Sequence, residues 1–145
     1  SYDVPALGQP SCGTPVAGVA DFSCAPFQFL TPYIYNIYTN IDLPIPENIG
    51  KTSVYVSYSH VSRQYTAPGP FEPLGYLEGY GLLSASLGIR DVAHTGLDLT
   101  VFGSNLTNKL FRVSNSNTFN GSNYVSSLYG EPRTYGLRLR YRFGG

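Results

Sequence analysis

Apolar and polar residues alternate along five stretches of the chain. From Tyr33 to Leu43, the positions Tyr33, Tyr35, Ile37, Thr39, Ile41 and Leu43 oppose Ile34, Asn36, Tyr38, Asn40 and Asp42. A period of two predicts a strand with unlike faces, and this run exceeds the usual strand of about 5–6 residues. A second strand is predicted from Lys51 to about Gln64, setting Thr52, Val54, Val56 and Tyr58 against Ser53, Tyr55, Ser57 and Ser59. A third runs from about Gly79 to Arg90, with Gly81, Leu83, Ala85, Leu87 and Ile89 opposed to Tyr80, Leu82, Ser84, Ser86 and Gly88. In the fourth, about Leu97 to Leu106, Leu97, Leu99 and Val101 oppose Asp98, Thr100 and Ser104. The last, Thr134 to Phe143, is the sharpest: Tyr135, Leu137, Leu139, Tyr141 and Phe143 on one face, Gly136, Arg138, Arg140 and Arg142 on the other.

The connections add what alternation alone lacks. Residues 44–50 and 91–96 are short turns, whereas 65–78 and the Asn- and Ser-rich 107–132 are long loops. Residues 1–32, with Pro5, Pro10, Pro15, Pro26 and Pro32 and no sustained period, read as a loop region. Long strands joined alternately by short turns and long loops are the pattern of an outer-membrane barrel, whose turns face the periplasm and whose loops face outward. The expected fold is therefore all-β, with about five antiparallel strands (residues 33–145) forming part of a transmembrane β-barrel, preceded by an extracellular loop (residues 1–32). Tyr33, Tyr58, Tyr80, Tyr141 and Phe143 stand near strand ends, where aromatic girdles are expected.

Composition fits this picture. Of 145 residues only 12% are charged, about half of the roughly 25% usual in globular chains. An Arg or Lys on a lipid-facing position costs about 2–4 kcal/mol at the bilayer midplane, so a barrel wall keeps charge off alternate positions. The zero net charge argues against a nucleic-acid partner, which demands a cationic surplus. No apolar run approaches the about 20 residues of a membrane helix, and no signal peptide is visible at the start SYDVPALGQP. The 13 Tyr, 8 Phe, 16 Gly and 11 Pro favour strands and turns. The absence of Met favours a fragment or a cleaved product over an intact translation product.

Candidate chemistry is sparse. Cys12 and Cys24 have no His beside them, so a disulfide closing a short loop is expected rather than a metal site. His60 and His94 fall at opposite ends of the strands and should not share a metal or serve one triad. No nucleophile elbow, phosphate-binding Gly-rich loop or cluster with metal-ligand spacing is present, so neither enzyme activity nor a cofactor is expected. The Asn105 and Asn120 glycan-acceptor patterns are read as chance. Arg138, Arg140 and Arg142 face the expected lumen. They would pair with acidic groups of a plug, set a positive field for anionic solutes, or join a local ion-pair network.

The segments GLDLTVFGSNLTNKLF and EPRTYGLRLRYRFGG resemble the C-terminal end of the TonB-dependent receptor family. In that family a penultimate strand ends in a motif like Asn105 to Lys109, a long surface loop follows, and an opening like Pro132 to Gly136 starts the last strand. The resemblance spans roughly residues 28–145. It implies that Tyr141 and Phe143 serve as the C-terminal assembly signal, although Gly144 and Gly145 follow where the family usually ends on the aromatic. It also implies that surface loops capture solute, with Tyr65, Phe71, Tyr76, Phe111, Phe119, Tyr124 and Tyr129 as candidate aromatics. The family barrel has about 22 strands around a plug, against about five here, and neither plug nor TonB-contacting box is found. An open five-stranded sheet would leave two unpaired edges in hydrocarbon. Further strands and a plug, from the same or another polypeptide, are thus expected partners, with outer-membrane lipid and, through the absent N-terminal part, TonB.

Three functions are compatible with these features. The first is uptake of a scarce large solute of siderophore, cobalamin or saccharide type across the bacterial outer membrane. The second is a non-transporting barrel subunit that scaffolds a surface assembly. The third is a small secreted β-sandwich hydrolase, which would need a compact two-sheet core and a polar cluster around His60 or His94.

Overall fold

The structure, a computed structural model, describes residues 27–46, 48–66, 75–117 and 124–143. Two compact units divide the chain. One comprises Ile34–Val61, Tyr80–Leu110 and Glu131–Gly145, and the other Ser1–Tyr33, Ser62–Gly79 and Phe111–Gly130. Among the described residues nine strands carry the backbone hydrogen bonding: β1 (Ile34–Asp42), β2 (Lys51–Val61), β3 (Gln64–Tyr65), β4 (Tyr76–Leu77), β5 (Tyr80–Arg90), β6 (Leu97–Ser104), β7 (Arg112–Asn117), β8 (Val125–Tyr129) and β9 (Thr134–Tyr141).

The first unit is a five-stranded sheet in the order β1-β2-β5-β6-β9, with every neighbouring pair antiparallel. These are the five strands expected from alternation, each ending within three residues of its predicted bounds. The sheet is open, with β1 and β9 as its edges. Strand length follows from composition: β5 contains no Pro or β-breaking charge between Tyr80 and Ile89, and β2 is rich in Val and Tyr. The turn between β5 and β6 contains three non-glycine residues with positive φ, Asp91, Ala93 and His94. It is held by the Asp91 side chain, which accepts from the Gly96 N–H at 3.0 Å, and by Asp98, which accepts from the Asp91 N–H at 2.9 Å.

The second unit holds two small hairpins, β3-β4 and β7-β8, and these correct the expectation that 65–78 and 107–132 are loops throughout. Tyr65 and Tyr76 sit opposite each other on β3 and β4, and Tyr129 lies on β8 opposite Arg112. The β7-β8 pair was not legible because RVSNSN and VSSLY lack an apolar face; backbone pairing rather than side-chain burial defines it. Of the predicted 1–32 loop region, Gln28 makes a parallel bridge to Tyr65, and the Phe29 N–H donates to the Tyr65 carbonyl at 2.7 Å. Cys12, Cys24, Phe71 and Phe119 lie outside the described residues, so the expected disulfide does too.

The described part of neither unit has a conventional core. Among the described residues the one buried hydrophobic side chain is Leu77, at 8% exposure, while twenty-five large hydrophobic residues are exposed.

Candidate functional site

Cross-strand register decides where the exposed apolar residues go. Residues opposite each other in a sheet point to the same face, and a slip of one position would send a strand's apolar set to the other face. Here Ile41, Val54, Leu87, Val101 and Leu137 form one row across all five strands, because Ile41 pairs with Val54, Val54 with Leu87, Leu87 with Val101 and Val101 with Leu137. On one side of this row, Ile89, Leu99 and Leu139 form a second row. On the other, Thr39, Val56, Ala85, Gly103 and Tyr135 form a third, and Ile37, Tyr58 and Leu83 a fourth. The five alternating patterns therefore coincide in one continuous apolar face. The opposite face is mainly polar, with Asn36, Asn40, Ser53, Ser57, Ser84, Ser86, Thr100 and Arg138, and by the same register it also holds Ile34, Tyr38, Tyr55, Leu82 and Phe102.

Aromatic residues mark both ends of the apolar face. Tyr35 lies 6.3 Å from Tyr58 and stacks on His60 at 5.0 Å between ring centroids, at the end from which the long connections leave. At the short-turn end, Tyr141 and Phe143 meet edge to face at 4.7 Å. Tyr80 departs from the expectation: it is in register with Val61, which pairs with Ile34, and so belongs to the polar face. His60 and His94 lie at opposite ends of the sheet unit, His60 on the distal part of β2 and His94 in the β5-β6 turn.

On the polar face, the three C-terminal arginines have different surroundings. Arg142 forms an ion pair with Asp98 at 2.8 Å, and its backbone N–H donates to the Gly96 carbonyl at 3.0 Å, tying the end of β9 to the β5-β6 turn. Arg140 is in register with Asp98. The Arg138 guanidinium lies over the Phe102 ring at 5.6 Å, and that ring covers Gly136, where a Cβ would collide with it. Arg142 thus takes part in the local ion pairing that the sequence allowed as one option, while Arg138 rests on an aromatic platform.

The two segments that carry the family resemblance come together. Asn105, 4% exposed and with φ of 48°, follows β6 directly. Its Nδ2 donates to the carbonyls of Lys109 at 2.9 Å and Glu131 at 3.1 Å, while its Oδ1 accepts from the Lys109 N–H at 2.8 Å. Asn108 Oδ1 accepts from the Arg133 N–H, and the Ser104 and Thr134 hydroxyls are hydrogen-bonded to each other. Asn105 to Lys109 and Pro132 to Gly136 therefore form a polar clasp at the long-connection end of the β6-β9 pair. Sequence reading marked both segments by resemblance; their mutual contact required the register.

Two of the candidate loop aromatics meet. Tyr65 and Tyr76 make an edge contact at 6.4 Å, with Arg63 over the Tyr76 ring at 4.8 Å and in an ion pair with Glu78 at 3.7 Å. The Phe111 ring covers Gly130, and Tyr124 and Tyr129 are exposed. Lys51 and Arg90, which the sequence reading did not single out, stand opposite each other on the polar face. Their parity was visible in the sequence, but their pairing depends on the β2-β5 register.

No family model, curated protein or solved structure matches this chain.

Proposed function

We propose that this chain forms part of the wall of an outer-membrane β-barrel, and more specifically the C-terminal wall of a TonB-dependent receptor that takes up a large, scarce solute. The observation that carries the reading is the apolar face continuous across five strands in register, with aromatics at both ends and a polar reverse. Its height is appropriate. The eleven residues of β5 extend about 37 Å at about 3.4 Å each, and a strand tilt of about 40° leaves about 28 Å along the membrane normal, against an apolar band about 25 Å tall.

Hydrocarbon explains a sheet with apolar side chains outward and no conventional core, since lipid replaces the missing second layer. The polar face then lines an aqueous or plugged interior, and further strands satisfy the β1 and β9 edges. The receptor assignment rests on the two resembling segments and on the alternation of short and long connections. Uptake, the plug and coupling to TonB belong to the complete protein.

Envelope fractionation of the native host, followed by uptake assays on ferric chelates, cobalamin and oligosaccharides, tests both levels. The protein should resist alkaline extraction from the outer membrane, and its deletion should abolish uptake of one solute in a TonB-dependent manner. Recovery in the aqueous fraction refutes the barrel. Membrane residence with unchanged uptake of every solute in the panel refutes the receptor.

A further inference from the structure

Beside the β5-β6 turn, an open cavity of about 310 Å³ is lined by Gly50, Lys51, Arg90, Asp91, His94 and Arg142. We propose that it binds an oxyanion of the phosphate class, carried by a small water-borne molecule and held between Lys51 and Arg90. The site stands on the geometry of the five-stranded sheet alone and does not depend on what the protein transports.

Three observations carry it. First, Lys51 and Arg90 are directly opposite in the β2-β5 register, an arrangement in which like charges repel and destabilise the pairing. Second, among the described residues neither cation lies within ion-pair distance of a carboxylate: Asp98 is engaged by Arg142, and Asp91 faces His94 at 3.4 Å. Third, the backbone brings the two cations together by a close approach. Gly50 has φ of 121°, and a Cβ there would stand 2.6 Å from the Arg90 carbonyl oxygen, so only glycine allows this approach.

An anion between the cations turns their repulsion into two attractions. The planar guanidinium of Arg90 offers paired donors that match two phosphate oxygens, and the Lys51 ammonium supplies a second charge for a dianion. Asp91, His94 and Arg142 close the rim, with the Asp91 carboxylate held by the Gly96 N–H and the His94 ring. Lys51 and Arg90 share the register face of Ser53 and Gly88, opposite the apolar rows, so the ligand reaches the cavity from the aqueous side. The volume exceeds that of the bare ion, which leaves room for the molecule that bears it.

The test uses the purified full-length protein in non-ionic detergent at low ionic strength, titrated with inorganic phosphate by calorimetry, with chloride at matched ionic strength as reference. Saturable phosphate binding is expected, weakened at least tenfold in the Lys51→Gln, Arg90→Gln double variant and changed less than twofold in Lys109→Gln. Phosphate should raise the thermal midpoint of the unaltered protein but not of the double variant. Because the substitutions remove a repulsion, the double variant should retain its far-ultraviolet circular dichroism, which separates lost binding from lost folding. Absence of saturable binding, or equal binding by the folded double variant, overturns the proposal.

Discussion

Leu87 lies on the central strand β5, between Val54 and Val101 in the longest apolar row, and its neighbour Ser86 points to the opposite face between Tyr55 and Phe102. Arginine placed at each position probes the two media separately. If the apolar face meets hydrocarbon, Leu87→Arg brings a charge near the midplane, at a cost of about 2–4 kcal/mol. If that face meets water, the cost is smaller. Leu87 is 43% exposed, so losing the covered part of a side chain worth about 1.5–3 kcal/mol forfeits only about 1–1.5 kcal/mol. Ser86→Arg should cost about 0–1 kcal/mol in either case, since lumen positions tolerate charge and Phe102 offers a ring face. The measurement is equilibrium unfolding of the full-length protein in lipid bilayers, following band mobility and circular dichroism against denaturant. A difference of about 1–4 kcal/mol between the two variants is expected in hydrocarbon, against about 0–1.5 kcal/mol in water. Equal destabilisation, or a more damaging Ser86→Arg, would show that the apolar rows do not face lipid.

Other substitutions examine the sheet more locally. Asn105→Ala removes three hydrogen bonds from a buried side chain and leaves an L-residue at φ of 48°; a loss of about 2–4 kcal/mol is expected from unsatisfied groups and backbone strain, with Asn105→Gly recovering the strain component in denaturant titration. Gly136→Val drives the Phe102 ring from its seat and removes the platform beneath Arg138; overpacking of about 1–3 kcal/mol should appear in the same titration, whereas Gly88→Ala, whose Cβ meets nothing closer than 3.7 Å, should cost under about 1 kcal/mol. Register is checked by cross-linking. With Cys12 and Cys24 replaced by serine, Gly88→Cys with Thr100→Cys should oxidise to a disulfide, because the two positions are opposite on one face and a Cβ at Gly88 stands 3.7 Å from Thr100 Oγ1, within reach of the bond. Gly88→Cys with Val101→Cys should not oxidise, and a reversed result on non-reducing gels would disprove the β5-β6 pairing.

What the sequence disclosed and what it withheld divide along physical lines. Alternation is a local property, so the runs around Ile37, Val56, Ala85, Leu99 and Leu139 identified five strands and the correct face of each. Which residue stands opposite which is not local, and the row from Ile41 to Leu137 emerged only when the strands were paired. The β7-β8 hairpin escaped because Ser and Asn give no periodic signal. The Lys51-Arg90 juxtaposition escaped for a different reason: the residues are 39 positions apart, and their approach is set by Gly50 at a turn. Both segments of the clasp could be marked beforehand, whereas the role of Asn105 in joining them could not, since its partners Lys109 and Glu131 lie on either side of a long connection.

The edges of the sheet carry the proposed barrel wall one step further. All nine residues of β1 are exposed, and among the described residues one side of its backbone has no strand partner. A protein in water would blunt such an edge with Pro, Lys or a bulge. Between Ile34 and Asp42 there is none of these, and the pairing of β1 with β2 runs from Ile34 opposite Val61 to Asp42 opposite Ser53 without interruption. At the other edge, β9 pairs with β6 from Thr134 to Tyr141, again without a bulge, and alternates arginine with leucine. Two regular edges, neither broken by Pro or a bulge, are suited to pairing, and pairing that preserves the face of each strand extends the apolar rows rather than ending them. The strands that complete the sheet should therefore share its period of two, with apolar residues in register with Ile37 and Ile41 at one edge and with Leu137 and Leu139 at the other.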